Sequence, residues 1–217
     1  MPEPYYRDEQ VTIYNCDWRD VVTTIDPDLV LTDPPYGIRA VNPDGTMGGP
    51  SSAPNSVHVP VANDHDAEEA KRAVELLRLV PKQIWWGANH YGEVLLDASG
   101  WLVWDKQNGT NFFADAELAW TNLGGVVRLY RHKWQGMLRA SERGRHWHPT
   151  QKPVALMDWC LRVADLEPAS LVFDPFMGSG PVAVAAKAQG HRYIGCDVVE
   201  EYCEIAAQRC QQAYLGI

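Results

Sequence analysis

Two short apolar runs, Leu29-Val30-Leu31 and Leu171-Val172-Phe173, each stop at an aspartate followed by a proline, and this repeated arrangement restricts the fold more than any other feature. An uninterrupted β-rich run of this length reads as a strand buried on both faces. Proline then ends the ladder, because it lacks the N–H that a neighbouring strand needs. The first run opens into Asp33-Pro34-Pro35-Tyr36, the second into Asp174-Pro175-Phe176-Met177-Gly178-Ser179-Gly180. In an open parallel α/β sheet the carboxyl ends of the strands form the edge that binds ligands. One segment offers an acid, carbonyls released from the ladder and an aromatic face; the other offers glycines that admit a ligand close to the backbone. A site holding both could take two reactants.

Further strands are expected at residues 11–14, 83–86, 101–104 and 193–196, with weaker candidates at 116–121 and 126–130. The last two flank Gly124-Gly125 and read as an antiparallel pair. Helices fit at 66–80, stopped by Pro81; at 153–166, with proline in the first turn; at 182–189, ended by Gly190; and at 200–214. This alternation predicts an α/β fold with a largely parallel sheet. A chain of 217 residues suits one domain, 1–217. Residues 37–63 are rich in Gly, Pro, Ser and Asn without periodicity, so this loop reads as a lid or binding loop.

Hydrophobic residues make up 46% and charged residues 22%, the balance of a soluble globular protein. No apolar run approaches membrane-spanning length, and Met1-Pro2-Glu3-Pro4 lacks a signal-peptide core, so a cytoplasmic protein without a membrane partner is expected. Cys16, Cys160, Cys196, Cys203 and Cys210 are odd in number and form no CxxC pair, which favours reduced structural thiols over a zinc site or disulfide framework. A net charge of -9 argues against a polyanionic partner, but its distribution reverses that. Between residues 128 and 152 stand seven basic residues, Arg128, Arg131, Lys133, Arg139, Arg143, Arg145 and Lys152, against the single acid Glu142. The rest of the chain holds 12 basic and 27 acidic residues. His132, His146, His148, Trp134 and Trp147 are interleaved with the strip. It reads either as a surface that tracks phosphates or as a solvated basic loop.

Gly178-Ser179-Gly180-Pro181-Val182-Ala183 fits G-x-G-x-x-A between a strand and a helix, and Asp197 ends the next strand 17 residues after Gly180. That arrangement suits an adenosine-containing cofactor, with glycines at the turn and an acid for the ribose hydroxyls. A nicotinamide-dependent Rossmann oxidoreductase is the rival from another enzyme class. Against it, only 37 residues follow Gly180, too few for the remaining βαβ units and a substrate domain. Asp174 would also repel a pyrophosphate. A cationic cofactor without phosphates, S-adenosylmethionine, fits better. No Lys-Ser or Lys-Thr follows the glycines, which removes a Walker A loop.

Taken together, these residues resemble the amino-group DNA methyltransferases that modify adenine N6 or cytosine N4. Asp33-Pro34-Pro35-Tyr36 is similar to their catalytic tetrapeptide and residues 174–180 to their cofactor loop, while His148-Pro149-Thr150-Gln151-Lys152-Pro153 resembles the segment preceding that loop. Catalytic tetrapeptide first and cofactor loop later is the order of the permuted β group. Asn15-Cys16-Asp17 resembles the segment that contacts the cofactor adenine, and Gly195-Cys196-Asp197 the ribose-binding one. The resemblance implies a class I S-adenosylmethionine-dependent methyltransferase fold, with a seven-stranded, mostly parallel sheet in circularly permuted motif order. The strand at 11–14 would take the third place, the strand ending at Phe173 the first, and the expected hairpin the antiparallel edge. Pro181 stands where threonine is usual, and Asp197 where glutamate is common. Residues 106–146, where target recognition would sit, are few for the family. Ile84-Trp85-Trp86-Gly87-Ala88-Asn89 and Phe113-Ala114-Asp115-Ala116-Glu117-Leu118-Ala119-Trp120 are similar to compact phage or prophage members, which implies a solitary methylase.

The same resemblance implies roles. The Asp33 carboxylate and the Pro34 carbonyl would each accept an N–H of the target amine, with Pro34 and Pro35 fixing the backbone and Tyr36 stacking on a flipped base. Asp17 would bond the cofactor adenine, Asp197 its ribose and Lys152 its methionine carboxylate. Asp33 and Asp174 would adjoin the cofactor, and Phe176, Gly178, Ser179 and Gly180 would shape its cleft. More plainly, Asp33 also reads as a turn acid and Lys152 as a solvent-facing helix-start residue. Asn89 and Trp86 could touch the base, although Trp86 equally suits the core. Arg128, Arg131, Lys133, Arg139, Arg143 and Arg145 would meet double-stranded DNA. Aspartate at the head of the tetrapeptide points to adenine N6, with cytosine N4 the alternative. Many members of the group are dimers, so a homodimer is compatible with the chain.

Overall fold

The computed structural model describes residues 2–38, 61–109, 114–135, 138–142 and 151–214. Strands β1 (Tyr6–Arg7) and β2 (Val11–Asn15) precede a short helix α1 (Arg19–Val22) and strand β3 (Leu29–Thr32). Helix α2 (Glu68–Leu77) is followed by β4 (Lys82–Trp86), β5 (Trp101–Asp105), β6 (Ala116–Thr121) and β7 (Arg128–Arg131). A two-stranded ribbon, β8 (Trp134–Gln135) with β9 (Leu138–Arg139), comes before α3 (Val154–Ala164) and β10 (Leu171–Asp174). Helix α4 (Pro181–Ala188), β11 (Arg192–Asp197) and α5 (Glu200–Tyr214) complete the described chain.

The main sheet runs β1-β2-β11-β10-β3-β4-β6-β5-β7. Its centre, from β2 to β4, is parallel. Chain order spreads outward from β10 in two directions, to β11 and β2 on one side and to β3 and β4 on the other. The switch point of the topology therefore lies between β10 and β3, where loops leave the strand ends in opposite directions and open a crevice.

β10 and β2 take the first and third places that the resemblance implies, but the sheet has nine strands and not seven. β1 adds antiparallel to β2, and β7 adds to the outer side of β5. The expected hairpin of β6 and β7 does not form. β6 instead lies antiparallel between β4 and β5, and β7 runs parallel to β5 on its far side. Burial explains the choice. Ala119, Trp120 and Thr121 are buried, so β6 needs a neighbour on each side, whereas Arg128, Leu129 and Arg131 are exposed and suit an edge. The link from β6 to β7 crosses the start of β5 so closely that a Cβ on Gly100 would lie 2.5 Å from the Gly124 carbonyl oxygen.

Helices cover both faces. Ala70, Ala73, Val74 and Leu77 recur on one side of α2 at the helical spacing and pack with Val30, Trp85 and Phe173. Leu156 and Cys160 of α3, Val182 and Ala186 of α4 and Ala206 of α5 pack on the other face with Val11, Leu31 and Val172. Every residue of β3 and β10 is buried, as their unbroken apolar runs require. Among the described residues, no helix is long and apolar enough to cross a membrane. The expected lid at 37–63 lies outside the described residues over 39–60.

Phe173 is fully buried in a central strand, so Phe173→Ala should cost about 3–5 kcal/mol through lost burial and the cavity left behind. Urea unfolding measures this, and a loss below about 1 kcal/mol would contradict the central placement of β10.

Candidate active site

Pairing of β10 with β3, Phe173 opposite Val30, brings the two strand-end aspartates to the same edge of the sheet, Asp33 two residues beyond the level of Asp174. The Thr32 hydroxyl donates to Asp174 Oδ1 at 2.6 Å, joining segments 142 residues apart. A single pocket at this edge is lined by Asp17, Asp33, Pro34, Pro35, Tyr36, Lys152, Asp174, Phe176, Gly178, Ser179 and Asp197. Gly180 is outside this lining. Its φ is +74° and a Cβ there would lie 2.7 Å from the Ala206 Cβ, so glycine at 180 serves the close approach of α5 and the turn into α4.

The cofactor loop is fastened from below. Gly178, at φ +52°, donates its N–H to Asp197 Oδ2 at 2.9 Å, and Val199 donates to Asp197 Oδ1 at 2.8 Å. Arg209 of α5 donates to the Ser179 carbonyl at 2.7 Å and, through its other nitrogen, to Glu142 Oε1 at 2.6 Å. Glu142, the lone acid of the basic strip, also accepts from Val154 N at 2.9 Å and so holds the start of α3. At the far end of the pocket Asp17 is gripped by the Arg19 guanidinium at 2.7 and 2.9 Å, and Trp18 meets Phe176 edge-on at 6.2 Å between centroids.

Two buried acids make the cleft receptive to a cation. Burial pushes the Asp174 carboxyl up to about 7, against the opposing bonds from Thr32 and Phe176 N. Burial likewise raises Asp197 to about 6. A cation in the cleft would favour the ionised form of both. The glycine backbone, the two acids and the aromatic wall of Trp18 and Phe176 fit a phosphate-free cationic cofactor of the adenosyl class.

The reaction end is organised around Asp33. Lys152, expected at a cofactor carboxylate, places its ammonium 2.5 Å from Asp33 Oδ2 and 3.0 Å from Glu117 Oε2, with its side chain only 4% exposed. Lys106 pairs with the other oxygen of Glu117. Burial raises the Asp33 carboxyl while Lys152 opposes the rise. Burial would raise Glu117 too, but Lys152 and Lys106 outweigh it and hold that carboxyl at about 2. Asp33 Oδ1 is buried and has no hydrogen-bond partner among the described residues, the state of an acceptor awaiting a donor. Glu117 escapes a search of strand carboxyl ends because β6 runs antiparallel, so its first residues reach the functional edge. A charged residue inside the otherwise apolar run 116–120 is the signal that could have marked it.

Tyr36 stacks on His90 with centroids 4.5 Å apart and planes 10° from parallel. A Cβ on Gly87 would strike the Tyr36 ring at 2.4 Å, so glycine there makes room for it. Trp86 is fully buried, in the core, while Asn89 is exposed.

The structure separates the two components of the basic strip only in part. Tyr130 stacks on His132 and Trp159, and Trp134 packs against the core, whereas Arg128, Arg131 and Lys133 are exposed. Within β7, alternation places Arg131 on the face opposite Tyr130 and Arg128 on the same face, so the pleat separates only part of the cations from the aromatics. Arg131 lies 3.4 Å from Asp105. The Arg139 side chain, Arg143 and Arg145 lie outside the described residues, as do His146, Trp147 and His148.

Native Asp174 holds its proton more tightly than the unfolded chain does. Its contribution to stability is therefore complete below about pH 4 and lost as pH rises to about 7. Asp174→Asn keeps the acceptor for Thr32 without the charge, and should flatten the fall of unfolding free energy between about pH 4 and pH 7 by roughly 4 kcal/mol. An unaltered pH dependence in urea titrations would remove Asp174 as its source.

A family model described as DNA methylase, of the N6/N4 methyltransferases, matches residues 52–208. The type II methyltransferase M2.LlaDCHI of Lactococcus lactis subsp. cremoris is 25% identical over 256 aligned positions, covering 96% of this chain and 92% of that protein. M2.DpnII of Streptococcus pneumoniae is 39% identical over 79 residues, 36% of this chain and 29% of its own. Among solved structures, the PvuII DNA methyltransferase, cytosine-N4-specific, shares the fold with a TM-score of 0.65 at 14% identity, covering 95% of this chain and 88% of that one. The M1.HpyAVI complex with S-adenosylmethionine aligns with a TM-score of 0.57 at 21% identity, covering 92% of this chain and 99% of that one. The α/β sheet is thus that of the class I methyltransferases, its seven strands extended to nine, and the chain belongs to the N6/N4 DNA methylase family.

Proposed function

We propose that this protein transfers a methyl group from S-adenosylmethionine to the exocyclic N6 amine of an adenine flipped out of double-stranded DNA. The observation that carries the reading is the unpartnered, buried Oδ1 of Asp33, set at the same sheet edge as Asp174 at the switch point. An amine conjugated with its ring is a weak nucleophile, and an acceptor at each N–H favours the pyramidal nitrogen that attacks. Asp33 Oδ1 takes one N–H and the Pro34 carbonyl the other.

When bound, S-adenosylmethionine supplies a methyl group carried on a sulfonium. Asp174 and Asp197 balance the positive charge of the cleft, Asp17 and Asp197 orient the adenosine, and Phe176, Gly178 and Ser179 wall it. As the nitrogen lone pair forms the N–C bond, the electrons of the broken C–S bond remain on sulfur, and Asp33 receives the proton that the nitrogen gives up. Tyr36 holds the flipped base by extending or replacing its present stack on His90. In-line placement of two bound reactants accounts for much of the acceleration, of order 7–11 kcal/mol at most. Aspartate at the head of the tetrapeptide, a stronger acceptor than serine, supports adenine over cytosine.

Incubation with labelled S-adenosylmethionine and unmethylated duplex DNA, followed by nucleoside analysis, should give N6-methyladenine. N4-methylcytosine would transfer the reading to the other amine, and no labelled nucleoside would overturn it. Asp33→Ala should abolish transfer while cofactor binding stays measurable. Arg128→Ala with Lys133→Ala removes two exposed cations and should reduce the salt slope of DNA affinity by about 1–2. An unchanged slope in fluorescence titrations would place the DNA elsewhere.

A further inference from the structure

We propose that Glu117 and Lys106 are positioning residues which, through Lys152, hold the Asp33 carboxylate in place as an acceptor for the target amine, so that Lys152 serves the catalytic acid and not the methionine carboxylate. The inference rests on the functional reading above and adds the residues that set up its acceptor.

Four elements converge here. Asp33 ends β3, Glu117 starts β6, Lys106 follows β5, and Lys152 precedes α3. Their charges alternate along a chain, Asp33, Lys152, Glu117 and Lys106, with the Lys106 ammonium 4.9 Å over the Trp104 ring centroid. A buried ammonium facing one carboxylate would form a tight neutral pair and drain Asp33 of acceptor strength. Glu117 divides the hold of Lys152 between two carboxylates, which weakens its pull on Asp33. Lys106 in turn holds the outer oxygen of Glu117, so that the inner one stays aimed at Lys152. Because Lys152 grips Oδ2, the carboxylate cannot rotate freely, and Oδ1 stays buried without a protein donor among the described residues.

A Lys152 with its ammonium bound in this way and 4% exposed is poorly placed to neutralise a cofactor carboxylate as well. The two assignments predict opposite results. Calorimetry with S-adenosylmethionine should show Lys152→Met binding within about threefold of the wild type, whereas loss of a carboxylate partner would weaken it by tenfold or more. In single-turnover transfer, Lys152→Met should slow the rate at about pH 7 by about 100-fold and move the acid limb upward by about one unit or more, since Asp33 loses its cation. Lys152→Arg should return the limb toward its original position. Glu117→Gln should slow transfer about tenfold and move the limb downward, because Lys152 then pulls on Asp33 alone, with cofactor affinity unchanged.

Cofactor affinity lowered tenfold in Lys152→Met would overturn the proposal, as would a Glu117→Gln enzyme with wild-type rate and wild-type acid limb. Should Lys152→Met not fold, Lys152→Gln carries the affinity readout and Glu117→Gln the pH readout. The calorimetric arm needs no DNA, so it decides the role of Lys152 even for a wild type that transfers no methyl, which would be the failure of the functional reading alone.

Discussion

The bond from the Thr32 hydroxyl to Asp174 Oδ1 marks the constraint on which the site depends, the lateral pairing of β3 with β10. Neither strand end is a site by itself. Asp33 without its neighbour is an acid after a strand, and Asp174 without β3 is the start of a glycine-rich turn that several cofactor classes could use. Parallel pairing at the switch point sets them at the same edge, because loops there diverge and leave the strand ends uncovered. The same arrangement keeps both acids in low-dielectric surroundings. Burial there displaces the Asp174 carboxyl to about 7.

Around this seam the protein gathers charges in buried pairs. On the reaction side, Lys152 lies between two carboxylates; on the cofactor side, Arg209 spans the Ser179 carbonyl and Glu142. Such groups contribute little net stability once desolvation is counted, but removing one partner leaves an uncompensated charge. What they contribute is geometry. Glu142 ties the basic strip to the first turn of α3, one residue beyond Pro153, and through Arg209 to the Ser179 carbonyl, so the glycine-rich loop and the strip share one set of contacts.

Much of this was legible in the chain. The runs ending at Asp33 and Asp174, the helical periodicity of α2 and the acid at Asp197 each carry a local signal, since burial on both faces, amphipathicity and turn chemistry are written over a few residues. Pairing partners are not. Val126 and Val127 beside Gly124-Gly125 suggest a hairpin, yet β7 crosses to the far side of β5, because Trp120 and its neighbours require β6 inside the sheet. The strip from Arg128 to Lys133 reads as mixed cations and aromatics; only the fold stacks Tyr130 on His132 and Trp159 while Arg128, Arg131 and Lys133 stay exposed.

By itself, the sequence determined the class of fold, the two strand ends that meet at the pocket and the family, because each rests on short motifs and on the order in which they occur. The tertiary structure alone decided which charges meet. Lys152 reaches Asp33 across 119 residues and Glu117 reaches Lys152 from a strand of opposite direction. A lysine near a helix start carries no local mark of its partner. That partner is set by which strand ends the sheet brings together and by the cost of leaving an ammonium buried and unpaired.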